Sequence, residues 1–256
     1  MGKVIAIVNQ KGGVGKTTTA VNLTAALGLQ GKKVLIIDAD PQGNTTSGFG
    51  INKRDVALST YDLLIGDTRA ETAKRSTTFK NVDIVPANMD LAGAEVELIG
   101  VENRQDKLKF AIALCRDSYD YIIIDCPPSL SLITVNALTA SDTLLVPVQC
   151  EYYAMEGLSQ LLSSVRQVKR LYNQGLELEG VLLTMYDSRL NLTHQVVEEL
   201  KKFFADKLYK TTIPRAVRLS EAPSYGVPIQ YYDKHSKGAK AYDELARELI
   251  KNNRRG

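Results

Sequence analysis

The chain has no tryptophan, only two histidines and only three cysteines in 256 residues. Cys115, Cys126 and Cys150 are odd in number, scattered and without C-x-x-C spacing. That excludes a disulfide framework and a zinc site, and it points to a reducing compartment. Long apolar runs are missing too, and none approaches the roughly 20 residues of a membrane span. The run VIAIV at 4–8 is too short for a signal-peptide core, and no small-residue cleavage site follows it. Ala6 stands where a myristoylation signal starting at Gly2 needs Ser or Thr. A soluble, cytoplasmic protein with no membrane attachment is the expectation. A large net charge is also lacking: +3 overall excludes a global polycation. Its distribution is uneven, with 14 Lys/Arg against 9 Asp/Glu from Asp187 onward and 18 against 20 before it. The basic share is therefore C-terminal, as a functional patch or as a solvated face.

What is present is ordinary globular material, 44% hydrophobic and 24% charged, enough to bury a real core. Apolar, β-branched runs recur at 4–8, 33–38, 82–86, 121–125, 143–148, 180–185 and 209–213. Several are apolar on both faces, as strands buried in a parallel sheet must be. Helical segments are expected between and after them, at 17–30, 106–115, 155–172, 192–207 and 237–252. Alternation of β and α with short connections predicts one doubly wound, mostly parallel α/β sheet flanked by helices, a single domain over 1–256. The least regular stretch, 44–80, reads as loop plus a short helix.

Residues 11–18, KGGVGKTT, lie between the first strand candidate and the first helix candidate. That is the setting of a phosphate loop, where glycines let backbone N–H groups converge and the helix N-terminus adds its positive end. The spacing differs from the consensus G-x-x-x-x-G-K-[ST], because Gln10 occupies the first glycine's place and a glycine pair follows at Gly12–Gly13. Roughly one chain of this length in a thousand would carry G-G-x-G-K-[ST] by chance, so nucleotide binding is the reading. Lys11, Gly12, Gly13, Val14, Gly15, Lys16, Thr17 and Thr18 form the binding loop. Lys16 is expected to reach the β- and γ-phosphates of ATP, and the Thr17 hydroxyl to ligate Mg²⁺. The extra Lys11 is redundant for phosphates that Lys16 already holds. It is either a solvated loop lysine or a cation reaching across a dimer interface.

Asp40 follows the second strand candidate and Asp125 ends the YIIID strand. Ligands collect at the carboxyl ends of parallel strands, so both face the loop. Aspartates are also common as strand-end and cap residues, and Asp38 reads as structural in that way.

KGGVGKTT resembles the deviant Walker A motif of the ParA/MinD superfamily. The likeness continues through DADPQGNTT (38–46), YIIIDCPPSL (121–130), PVQCEYYAMEGL (147–158) and RLSEAPSYGVPI (218–229), covering nearly the whole chain in family order. Within that superfamily the sequence is most similar to the short ParA/Soj chromosome-partitioning ATPases. The resemblance implies that Lys11 acts in trans in a nucleotide-sandwich homodimer, with Lys16 and Asp40 as its catalytic company. It makes Asp125 the Walker B aspartate, holding Mg²⁺ through water, and Asp40 the residue that orients the attacking water. It places Pro214, Arg215 and Ala216 around the adenine, Pro214 against its face. Relatives often carry Asn at the place of Ala216, which can offer only a backbone contact. Arg189, in DSRLN, resembles the family arginine that binds nucleoid DNA, and Arg218 would extend that patch. The implied protein is a slow, Mg²⁺-dependent, partner-stimulated ATPase. It binds non-specific DNA as the ATP dimer, works with a ParB-type centromere-binding partner and resides on the nucleoid.

The phosphate loop begins by residue 10, so no helix-turn-helix domain is expected ahead of it and no operator reading with it. The nearest alternative is a MinD-like membrane-surface ATPase, which needs a C-terminal amphipathic helix with large apolar residues opposite lysines. The tail YDELARELIKNNRRG instead reads as a docked helix with a frayed basic end. Metal-cluster chemistry on the same fold would need paired cysteines, which are absent, so Cys126 reads as a packing residue. His194 and His235 read as surface residues.

Overall fold

The computed structural model describes residues 1–254, so the last two residues of the basic end lie outside it. Seven strands form one sheet: β1 (Lys3–Ile7), β2 (Val34–Asp38), β3 (Arg75–Ser76), β4 (Val82–Val85), β5 (Tyr121–Asp125), β6 (Thr143–Gln149) and β7 (Glu177–Thr184). They lie in the order β3-β4-β2-β5-β1-β6-β7, every neighbour parallel except the two-residue edge strand β3. The expected doubly wound α/β sheet is the fold observed.

Side-chain alternation along these strands feeds two separate cores. Ile5, Ile7, Ile36 and Ile123 face one layer, where helices Lys16–Leu29 and Lys237–Asn253 bury Leu23, Leu27, Tyr242, Leu245 and Leu249. Val4, Ala6, Leu35, Ile37 and Ile124 face the other. There helices Leu132–Ala140, Ala154–Leu171 and Asn191–Phe204 supply Ile133, Leu138, Leu161, Val165 and Leu200. Both faces are covered, which is why the central strands read as unbroken apolar runs. Among the described residues no helix is long and apolar enough to cross a membrane.

Three expectations change. The segment expected as a strand at 209–213 runs beside β7 but forms only isolated bridges, at Val181–Leu208 and Tyr186–Pro214. The Glu248 carboxylate accepts bonds from the backbone N–H of Lys210 (2.8 Å) and of Thr211 (2.9 Å), and the second is the donor that a ladder continuing from the Tyr209 N–H would use. Pro214 has no N–H to offer. Helix Leu132–Ala140, not expected from the pattern, is buried nearly all round and carries no polar stripe to announce it. The stretch 44–80 holds three short helices, Asn44–Gly48, Thr60–Ile65 and Ala70–Ala73, besides β3. The second of them is nucleated by a capping box between Ser59 and Asp62.

Register fixes what happens at the carboxyl ends. Ile7 of β1 lies level with Asp125 of β5, and Asp125 level with Asp38 of β2. The turn after β1 therefore opens beside two carboxylates, one on the adjoining β5 and one on β2 beyond it.

Candidate functional site

The loop after β1 is tied at both flanks. The Asn9 side chain donates to the Pro147 carbonyl (2.7 Å) and accepts from the Lys11 N–H (3.0 Å), fixing the loop's start to β6. The Thr184 hydroxyl donates to the Val14 carbonyl (2.8 Å), fixing its apex to the end of β7. Gly13 and Gly15 have φ of 75° and 85°, left-handed values that let the loop curl into the N-terminus of helix Lys16–Leu29. Gly12, Gly13 and Val14 form the curl, and Lys16, Thr17 and Thr18 begin the helix.

The Lys16 ammonium folds back over the loop and donates to the Lys11 carbonyl at 3.1 Å. Burial lowers its pKa, against the attraction of Asp125 and Asp40. An ammonium so placed gains from an anion beside it. Lys11 points the other way, its ammonium paired with the Glu151 carboxylate just beyond β6. The two lysines of the loop therefore serve different directions.

Below the loop, one oxygen of Asp125, Oδ2, accepts the Thr17 hydroxyl (2.8 Å) and the Thr45 hydroxyl (2.7 Å). The other, Oδ1, is buried without a partner among the described residues. Asp38 is buried beside it and accepts from the Thr46 N–H and hydroxyl, both at 2.7 Å. Burial raises the pKa of Asp38 to about 6. Burial and the neighbouring Asp38 charge raise that of Asp125 to about 7. An orphaned carboxylate oxygen and an adjacent hydroxyl are oxygen donors of the kind that fit a hard, hydrated divalent cation such as Mg²⁺, whereas Asp38, with both oxygens already accepting, is structural. Asp40 sits just past β2, mostly buried, its carboxylate accepting the Gln42 N–H at 2.9 Å.

On the other side of Thr18 a cleft of about 400 Å³ opens, walled by Gly15, Thr184, Met185, Pro214, Arg215 and Ala216, with Tyr242 also on it. The three residues expected around the adenine thus line a cavity that starts at the loop. Its apolar wall and its size suit a flat base. Met185 and Tyr242 were not foreseen; each is far in sequence from the motif it joins.

The arginines stand elsewhere. Arg189 follows β7, its side chain 86% exposed, and its guanidinium grips the Asp187 carboxylate at 2.9 and 2.6 Å. That pairing holds Asp187 well below the usual carboxylate range. Arg218 pairs with Glu221 (3.0 Å) and lies over the Tyr232 ring. Lys201 and Lys202 pair with Glu198 and Glu199 one turn back. Four of the 14 C-terminal basic residues are thus locally balanced. His194 and His235 are exposed, and Cys126 is fully buried with its thiol pKa pushed up by burial.

Comparison with known proteins agrees with this geometry. Residues 2–178 match the family described as AAA domain. The chain is 59% identical to the sporulation initiation inhibitor protein Soj of Bacillus subtilis, over 98% of this chain and all of that protein. It is 50% identical to the chromosome partitioning protein ParA of Myxococcus xanthus, over 98% of this chain and 89% of that one. Among solved structures it is similar to the cobyrinic acid a,c-diamide synthase of Mycobacterium smegmatis with bound ADP and magnesium. There the TM-score is 0.86 at 38% identity, covering 99% of this chain and 96% of that one.

Proposed function

The chain belongs to the ParA/Soj family of chromosome-partitioning ATPases, and from that premise we propose that it hydrolyses ATP with Mg²⁺ inside an ATP-dependent homodimer that binds DNA without regard to sequence. The observation that carries the chemistry is the alignment of β1, β5 and β2, which brings Asp125 to the Thr17 hydroxyl and sets it and Asp40, just past β2, near the Lys16 ammonium. Phosphoryl transfer asks the protein for positioning and charge neutralisation. Lys16 exchanges the Lys11 carbonyl for the β- and γ-phosphates. Thr17 and, through water, Asp125 would hold the Mg²⁺, which would supply charge neutralisation at the phosphate oxygens. Asp40 orients the water that attacks the γ-phosphorus. Lys11 leaves Glu151 to reach the nucleotide of the second protomer, and Pro214, Arg215 and Ala216 hold the adenine.

DNA binding by the dimer rests on Arg189, whose exposed guanidinium can exchange Asp187 for a phosphate, with Arg218 as a weaker contributor already paired with Glu221. A ParB-type partner would stimulate a slow basal turnover. The fold alone does not choose among activities, since a biosynthetic enzyme shares it at 38% identity. The Soj likeness at 59% is what gives partitioning the weight. A membrane-surface role is disfavoured because the closing helix buries Tyr242, Leu245 and Leu249 against its own core.

The test is gel filtration and DNA co-sedimentation with ATP, with ADP and without nucleotide. Dimer and DNA binding are expected with ATP alone. A protein that sediments with DNA equally in all three states would overturn the switch.

A further inference from the structure

The Asp125 carboxylate has two supporters, and they come from different parts of the chain. Thr17 belongs to the phosphate loop. Thr45 lies 80 residues away from Asp125 in sequence, on helix Asn44–Gly48, five residues after Asp40. A carboxylate turns freely about its last torsion, which has broad, two-fold preferences. Two hydroxyls donating to the same oxygen, at 2.8 and 2.7 Å, remove that freedom and leave Oδ1 buried without a partner among the described residues.

The mount of Thr45 is rigid. Its neighbour Thr46 donates twice to Asp38, through N–H and hydroxyl, and its hydroxyl accepts the Ala87 N–H at 2.8 Å. Both threonines are completely buried. The Thr45 hydroxyl is therefore delivered to Asp125 by a helix bolted to β2. Among the described residues it is the one side-chain donor to this carboxylate from outside the phosphate loop.

From this arrangement we propose that Thr45 is a positioning residue for the ATPase reaction. It fixes the orientation of the Asp125 carboxylate that would support the hydrated cation, and it ties the segment carrying Asp40 to the state of the cation site. This rests on the ATPase reading above. Thr45 touches neither nucleotide nor cation; it acts through Asp125.

The variant Thr45→Val removes the hydroxyl and keeps the shape. Calorimetry of ADP binding with and without Mg²⁺, beside ATP turnover across a Mg²⁺ titration, supplies the readout. Loss of a charge-assisted hydrogen bond predicts a fall of about tenfold in the Mg²⁺-dependent gain in ADP affinity, with Mg²⁺-free ADP binding unchanged. The Mg²⁺ concentration for half-maximal turnover should rise by a similar factor. Thr45→Ser, which keeps the hydroxyl, should restore both. If the valine variant fails to fold, Thr45→Ala removes the same bond without a misfit methyl and is read the same way. A variant that matches the parent across the Mg²⁺ titration overturns the proposal, as does one that loses Mg²⁺-free ADP binding equally. A parent with no Mg²⁺-dependent ATP turnover sinks the functional reading instead, a result separable from the first two.

Discussion

Lys16 and Lys11 carry the same ammonium into different surroundings, one buried on the loop's own carbonyl and the other half-exposed on Glu151. On the function proposed above, removing Lys16 takes away a contact to the nucleotide itself. Lys16→Ala should weaken ATP binding by roughly 10- to 100-fold, the cost of a lost charge-assisted hydrogen bond. Lys11→Ala should bind ATP as a monomer close to normally and yet form no ATP dimer. Equilibrium binding and gel filtration on the same samples separate the two, and a Lys11 variant that dimerises would end the trans reading. Asp40→Ala should bind ATP and accumulate as a dimer, with turnover down by about 10²-fold or more, as expected for loss of a water-positioning group. Turnover at the parent rate would remove Asp40 from the reaction. These residues were legible because local motifs announce them. Thr45, Glu151 and Asn9 were not, although Thr45 lies inside a stretch quoted for its family likeness. Their meaning comes from partners 80, 140 and 138 residues away, a separation that no local pattern encodes.

Helices and strands were legible to the extent that one period dominated their sequence. The central strands declare themselves by apolar runs, and helices Ala154–Leu171 and Asn191–Phe204 by a buried stripe with charged residues opposite. Helix Leu132–Ala140 has no such stripe, and the segment after helix Asn191–Phe204 lost its ladder to Glu248, a residue on a different element. Two glycines in helices allow opposite predictions. A Cβ on Gly28 would collide with the Lys80 carbonyl and touch Val82, where the first helix presses on the start of β4. Gly28→Ala should cost about 1–3 kcal/mol by overpacking, and at ~2–4 °C per kcal/mol for a chain of this size its melting temperature should fall by several degrees. A Cβ on Gly157, in helix Ala154–Leu171, would meet nothing. Gly157→Ala should gain about 0.5–1 kcal/mol from helix propensity and raise the melting temperature by roughly one to four degrees. Thermal denaturation of both reads the signs, and a shift of the same sign in both would contradict the packing described.

At the scale of the whole molecule the charge is nearly balanced, so the DNA affinity proposed above would have to come from few contacts doubled by a dimer. If the ATP dimer neutralises about four to six phosphates, log K should fall against log salt with a slope near −4 to −5. The slope should be the same on two unrelated duplexes, because phosphate contacts do not read bases. Arg189→Glu should abolish that binding and leave ATP binding and dimerisation intact. A salt titration in an Asp40→Ala background checks it, and a charge-reversed dimer that binds like the parent would refute the assignment. The order of the strands has a further consequence, for the chain as it is being made. β1 lies inside the sheet, yet the first of its neighbours to be made, β5, begins at Tyr121, and the wall of the proposed base cleft extends to Tyr242. At about 5–20 residues per second, a ribosome finishes that wall roughly ten to fifty seconds after the phosphate loop has emerged. For the first part of that interval, until β5 has been made, β1 has both edges bare, and to its end ATP has no complete place to bind. Nucleotide can therefore stabilise finished chains and does nothing for nascent ones.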